Sequence, residues 1–143
     1  MGRRTRAREC AFQMLYQWDM TREAMDNVID SYWKVRSTTD LTRSMAERLA
    51  RGAQGQVERI DEEITAVSKN WRFDRIAAVD RNIIRIGVFE LVNDAETPSA
   101  VVIDEAVEMA RRFGEADSTA FVNGVLDAIM RRVRRVGERV RGA

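Results

Sequence analysis

At 143 residues, with 45% hydrophobic side chains against 33% charged ones, the chain is sized and composed for one globular domain rather than a disordered tail. Histidine is absent and Cys10 is the only cysteine, which leaves nothing from which to build a zinc site, an internal disulfide or an imidazole-assisted nucleophile. The net charge of +1 balances cationic ends against an acidic body: residues 1–8 hold four arginines and no acid, residues 131–143 carry a local +5, and residues 9–130 a local −8.

The elements follow in order. Within "RRTRARECAFQMLYQWD", Ala7, Cys10, Ala11, Met14, Leu15 and Trp18 fall at i, i+3, i+4, i+7, i+8 and i+11, one helical stripe that predicts a core face. Arg8 and Phe12 lie on its shoulder, and Tyr16 points away from it. A second helix is expected from Thr21, burying Met25, Val28, Ile29 and Trp33. "STTD" caps a long third helix at Asp40, with a stripe of Leu41, Met45, Leu49, Val57, Ile60, Ile64 and Val67 that Gly52 and Gly55 are placed to bend. "NWRFD" leads to a short helix near Ile76, then to the buried helix "VDRNIIRIGVFELV". The only proline, Pro98, precedes a helix over "VVIDEAVEMARRF", with Gly114 as its stop. Asp117 or Ser118 caps the last helix, "STAFVNGVLDAIMRRVRRV". No strand alternation is sustained, so the expectation is an all-α single domain over residues 1–143, with 131–143 as a basic C-terminal extension.

The amino-terminal arginines carry the functional signal. No apolar segment of the kind a secretion signal needs follows them, and no run in the chain approaches the roughly 18 apolar residues that span a bilayer. Cytoplasmic location and no membrane partner are therefore expected, and the lone thiol fits a reducing compartment. Four cations at a helix start oppose the positive end of the helix dipole. Local stability would favour acids there, and such violations of local rules concentrate at functional sites. Arginines beside aromatic rings supply both charge and stacking surface for single-stranded nucleic acid, with Tyr16 the foremost ring. The turn "RRFGEADST" offers Phe113, Asp117 and Ser118 at a helix N-terminus, where phosphate binding and simple capping are both open. The run "RRVRRVGERVRG" reads as an amphipathic extension, either a second cationic element or a solvated end. The carboxylate pairs Asp104–Glu105 and Glu62–Glu63 are adjacent, so they do not share a helix face and read as solvated.

Three stretches, "RRTRARECAFQMLYQWD", "VDRNIIRIGVFEL" and "VVIDEAVEMARRFGEADSTAFVNGVLDAI", resemble the NusB family of bacterial transcription antitermination factors, in that family's order and spacing from residue 3 to about residue 130. The resemblance implies about seven helices in two small packed bundles, no cofactor, no metal and no catalytic activity. It implies pairing with the ribosomal small-subunit protein NusE, binding of single-stranded boxA RNA, and support of processive transcription of ribosomal RNA operons, with other antitermination factors and RNA polymerase engaged indirectly. By position it puts Arg3, Arg4, Arg6, Arg8, Tyr16, Phe113, Asp117, Ser118 and Phe121 on RNA, and Asp74 and Asp80 on the partner. Asp104 stands where the family commonly has asparagine. Whether the free protein is a monomer or a homodimer is left open. Two alternatives stand beside this reading: the NusB-like domain of a ribosomal RNA methyltransferase, although the chain has neither a glycine-rich nucleotide loop nor a Pro-Cys motif, and a purely structural helical interaction module.

Overall fold

The computed structural model describes residues 2–142, with side chains described through Val133. The tail positions Arg134, Arg135, Val136, Arg139, Val140 and Arg141 therefore lie outside the described side chains. Seven α-helices account for the described chain: α1 (Arg3–Thr21), α2 (Met25–Lys34), α3 (Asp40–Gly55), α4 (Val57–Val67), α5 (Ala78–Asn93), α6 (Ser99–Phe113) and α7 (Ser118–Gly142), with a 3-10 turn at Phe73–Arg75 between α4 and α5. Helices α1, α2 and α3 pack together; α4, α5, α6 and α7 form a second group, and α5 joins the two by packing on α1 and α3.

The α1 stripe is buried as its spacing requires. Ala7, Ala11, Met14 and Leu15 are fully buried, Cys10 and Trp18 nearly so, and each large apolar side chain removed from water contributes roughly 1.5–3 kcal/mol. Alanines on both partners, Ala7 and Ala11 on α1 and Ala46, Ala50 and Ala53 on α3, are fully buried as well. Side chains this small permit the short interaxial distance that helix packing adjusts to its contact residues. Helix α5 is buried nearly all round, with Ile83, Ile84, Ile86 and Val88 at 0% exposure, because it packs against α1, α3, α4, α6 and α7.

The structure moves several boundaries. Helix α1 runs on through Thr21 and stops at Arg22, whose φ of 61° is left-handed, so α2 starts at Met25 rather than Thr21. Tyr32, not Trp33, is the fully enclosed ring of α2; its hydroxyl donates to Gln13 Oε1 at 2.6 Å, and Trp33 is half-buried. Thr39, one residue before Asp40, is the α3 cap and accepts from the Thr42 N–H. Leu41 is 62% exposed, since it sits in the first turn, ahead of the stretch that meets α1. The expected long third helix is two helices that break at Gln56, just past Gly52 and Gly55. Gly52 is needed for its missing side chain, because a Cβ there would clash with the edge of the Phe89 ring. The short helix expected near Ile76 is the 3-10 turn, and Ile76 itself is buried behind it.

Two buried ionic networks tie the ends of α1 to α5. At the carboxyl end, Asp19 accepts from Arg81 Nη2 at 2.7 Å, Arg81 Nε at 3.0 Å and Asn82 Nδ2 at 3.0 Å. Arg85 pairs with Asp19 at 3.2 Å and reaches Asp61 of α4 at 2.7 Å. Burial works to raise the Asp19 pKa, but the Arg81 and Asn82 hydrogen bonds outweigh it and hold the carboxyl below its ordinary value. At the amino end, the second network is built on Arg8 and Glu90.

Candidate nucleic-acid and partner interface

Four arginines begin α1, and the helix sorts them. Arg3, Arg4 and Arg6 are exposed; no ion pair among the described residues engages them. Arg8 is 2% exposed. Its Nε and Nη2 donate to the two carboxylate oxygens of Glu90 on α5, at 2.7 and 3.0 Å, and its Nη1 lies 3.6 Å from Glu105 of α6. Thr5 donates to the same Glu105 at 2.6 Å. Burial alone would lower the Arg8 pKa, yet the hydrogen bonds and charge of Glu90 hold it above its ordinary value. Unlike the other three, Arg8 is thus a buried, paired cation: on the shoulder of the stripe it faces α5, where the buried Glu90 needs a partner.

The outward face of α1 carries one exposed ring, Tyr16, which rests on the buried Phe12. The centroid of Tyr16, which is 36% exposed, lies 6.3 Å from that of Phe12 at an edge-on angle of 62°; the Phe12 centroid lies 5.5 Å from that of Phe113 at the end of α6. Tyr16 and Phe113, far apart in sequence, therefore belong to one aromatic run. Sequence reasoning missed its neighbour Arg112, whose guanidinium carbon stands 5.1 Å from the Phe113 centroid and whose Nη1 donates to Glu9 Oε2 at 2.6 Å.

Asp80, Asp117, Ser118 and Phe121 gather elsewhere, around a cavity of about 140 Å³ that Trp71, Arg75 and Glu115 also line. The Trp71 and Phe121 rings meet edge to face, 6.2 Å between centroids. Asp80, in the first turn of α5, is buried, and its Oδ1 has no hydrogen-bond partner among the described residues. Burial pushes its pKa up; the Ser118 hydroxyl opposes that, and the negative charges of Asp117 and Glu115 add to it. Ser118 is buried too, and its Oγ closes the α6–α7 turn by accepting from the Glu115 N–H at 2.9 Å. Asp117 is exposed at the rim, and its carbonyl accepts from the Phe121 N–H. Asp74 lies outside this cavity, exposed in the 3-10 turn and paired with Arg72 at 3.2 Å. The predicted residues therefore form two surfaces: a cationic and aromatic strip along α1 and the end of α6, and an acidic, ring-walled cavity at the start of α5 and α7. Among the described residues no helix is long and apolar enough to cross a membrane.

These features define a class: an all-α domain of two joined helical groups, presenting a cationic aromatic strip beside an acidic cavity. The sequence model of the NusB family matches residues 5–131. Named relatives include the transcription antitermination protein NusB of Anaeromyxobacter dehalogenans, 46% identical over 129 residues that cover 90% of each chain. That of Sorangium cellulosum is 41% identical over 136 residues, covering 95% of this chain and 97% of the relative. Among solved structures, T. maritima NusB superposes with a TM-score of 0.82 at 32% identity over 92% of each chain. A structure of the antitermination factors NusB and NusE in complex with dsRNA gives 0.81 at 30% identity, covering 92% of this chain and 98% of that one. The chain belongs to the NusB family, whose named members serve as transcription antitermination proteins, a non-enzymatic role.

Proposed function

We propose that this protein binds the boxA element of nascent RNA through the amino-terminal strip of α1, pairs with the ribosomal protein NusE, and so promotes processive transcription of ribosomal RNA operons. The observation that carries the reading is the sorting of α1: three arginines exposed and unpaired among the described residues, on the helix that also exposes Tyr16, whose ring is backed by the buried Phe12 and through it by the half-buried Phe113. Exposed arginines neutralise phosphates, and the exposed ring of Tyr16 offers a surface to an unstacked base, which favours a single strand over a closed duplex. The solved complex of NusB and NusE with dsRNA supports RNA and NusE as the two partners, while the single strand rests on the surface of α1. On the protein side, the unpartnered Asp80 oxygen, with Glu115 beside it, suits a cationic side chain of a basic ribosomal protein. Asp74 extends that acidic face.

The test is a mobility-shift titration of boxA RNA with and without purified NusE. Cooperative binding, in which each partner tightens the other, supports the reading. RNA affinity that neither NusE nor the Arg3→Ala/Arg4→Ala/Arg6→Ala variant changes sinks it.

A further inference from the structure

Glu9 is an acid in the middle of a strip that is to hold an anion. It shares the outward side of α1 with Arg6, Gln13 and Tyr16, since positions 6, 9, 13 and 16 recur at three and four. A bare carboxylate there would repel a phosphate backbone. In the structure it is not bare: Glu9 is only 7% exposed, and Arg112 of α6 covers it through the 2.6 Å hydrogen bond. The Arg112 side chain remains 42% exposed, and one of its five N–H donors accounts for the bond to Glu9. Its guanidinium also stands 5.1 Å from the centre of Phe113. Glu9 and Phe113 thus hold a cation over the strip.

We propose that Arg112 is a nucleic-acid-binding residue of this protein, taking the place in the strip that Arg8 gives up to the core, with Glu9 as its positioning residue. The inference rests on the RNA reading of α1. Arg112 does two things there. It cancels the negative charge of Glu9 on that face, and it offers a guanidinium, backed by an aromatic ring, on which a base can stack or a phosphate can be gripped. The ligand chemistry is an unpaired ribonucleotide strand, whose phosphates need the charge and whose bases need the flat surface.

The test measures binding of a fluorescein-labelled single-stranded boxA RNA by anisotropy across a salt series. Arg112→Ala leaves Glu9 unpaired, so the double variant Glu9→Gln/Arg112→Ala is measured beside it as a chain with no stranded carboxylate. Both should bind about tenfold more weakly, the lower range for removing one stacking interaction. The slope of log K against log salt should become shallower by about 0.7, one phosphate contact on a single strand. Arg112→Lys should keep the slope and lose affinity, since lysine keeps the charge without the plane. Glu9→Gln should keep the slope and weaken binding less than Arg112→Ala. If the double variant binds with the wild-type affinity and slope while Arg3→Ala/Arg4→Ala/Arg6→Ala is weakened, Arg112 is only a tertiary ion pair and the inference is wrong. If that triple variant also binds like wild type, the RNA reading of α1 falls, and this inference with it.

Discussion

Replacing Arg8 separates an interior cation from a ligand-binding one. In Arg8→Ala the carboxylate of Glu90, itself 2% exposed, is deprived of two hydrogen bonds of 2.7 and 3.0 Å and of the countercharge that made them. Glu105 is affected less, because Thr5 still donates to it at 2.6 Å. An uncompensated buried charge costs about 3–5 kcal/mol, a large share of the roughly 5–15 kcal/mol that holds a domain together. At about 3 °C per kcal/mol for a chain of this size, Tm should fall by roughly 10–15 °C. The double variant Arg8→Met/Glu90→Leu removes both charges and should recover most of that stability, since well-packed apolar replacements of buried pairs are often neutral. Thermal unfolding followed by circular dichroism gives the stability, and RNA anisotropy well below the transition gives the function. RNA affinity should stay at the wild-type level in the double variant. A wild-type Tm for Arg8→Ala together with weakened RNA binding would refute the assignment of Arg8 to the core.

Three further outcomes are expected. Gly52→Val should destabilise the fold by about 1–3 kcal/mol in urea unfolding, because the new side chain must displace the Phe89 ring. Asp80→Asn should raise Tm at neutral pH while weakening NusE binding. The folded pKa of Asp80 is raised, so its ionised form costs stability at pH above that value, and the cost vanishes as pH falls through the unfolded value of about 4. Asp19 has the opposite sign: its lowered folded pKa stabilises the protein above about pH 4, and that contribution disappears as pH falls through the depressed folded value. Asp19→Asn should therefore lower Tm at neutral pH and flatten the acid limb of the stability profile, as read by a pH series of thermal melts.

The local pattern made the fold legible and the interior of the site illegible. The α1 stripe needed only the helical period, and all six of its residues are buried. The apolar residues of α5, spread round the helix between Arg81, Arg85 and Glu90, announced a helix covered on several sides. What escaped depended on partners far away in the chain. Arg8 looks like its three neighbours until Glu90, 82 residues on, claims it. Arg112 looks like the end of a solvated helix until Glu9, 103 residues back, holds it on the strip. The exchange of Tyr32 for Trp33 is a phase shift of one position, decided by the Gln13 amide that meets the Tyr32 hydroxyl. The break between α3 and α4 was signalled by Gly52 and Gly55, yet the ring that makes Gly52 necessary belongs to α5. The acidic positions Asp74 and Asp80 were placed in one set by resemblance, and the structure puts only Asp80 in the cavity.

The exposed arginines of α1 can be tested with a single plot, log K for single-stranded boxA RNA against log salt, for the wild-type chain and for Arg3→Ala/Arg4→Ala/Arg6→Ala. Removing three phosphate-binding side chains, at roughly 0.7 each, should make the variant's slope shallower by about 2, with affinity falling most at low salt. Two parallel lines, at whatever affinity, would mean that these guanidinium groups meet no phosphate.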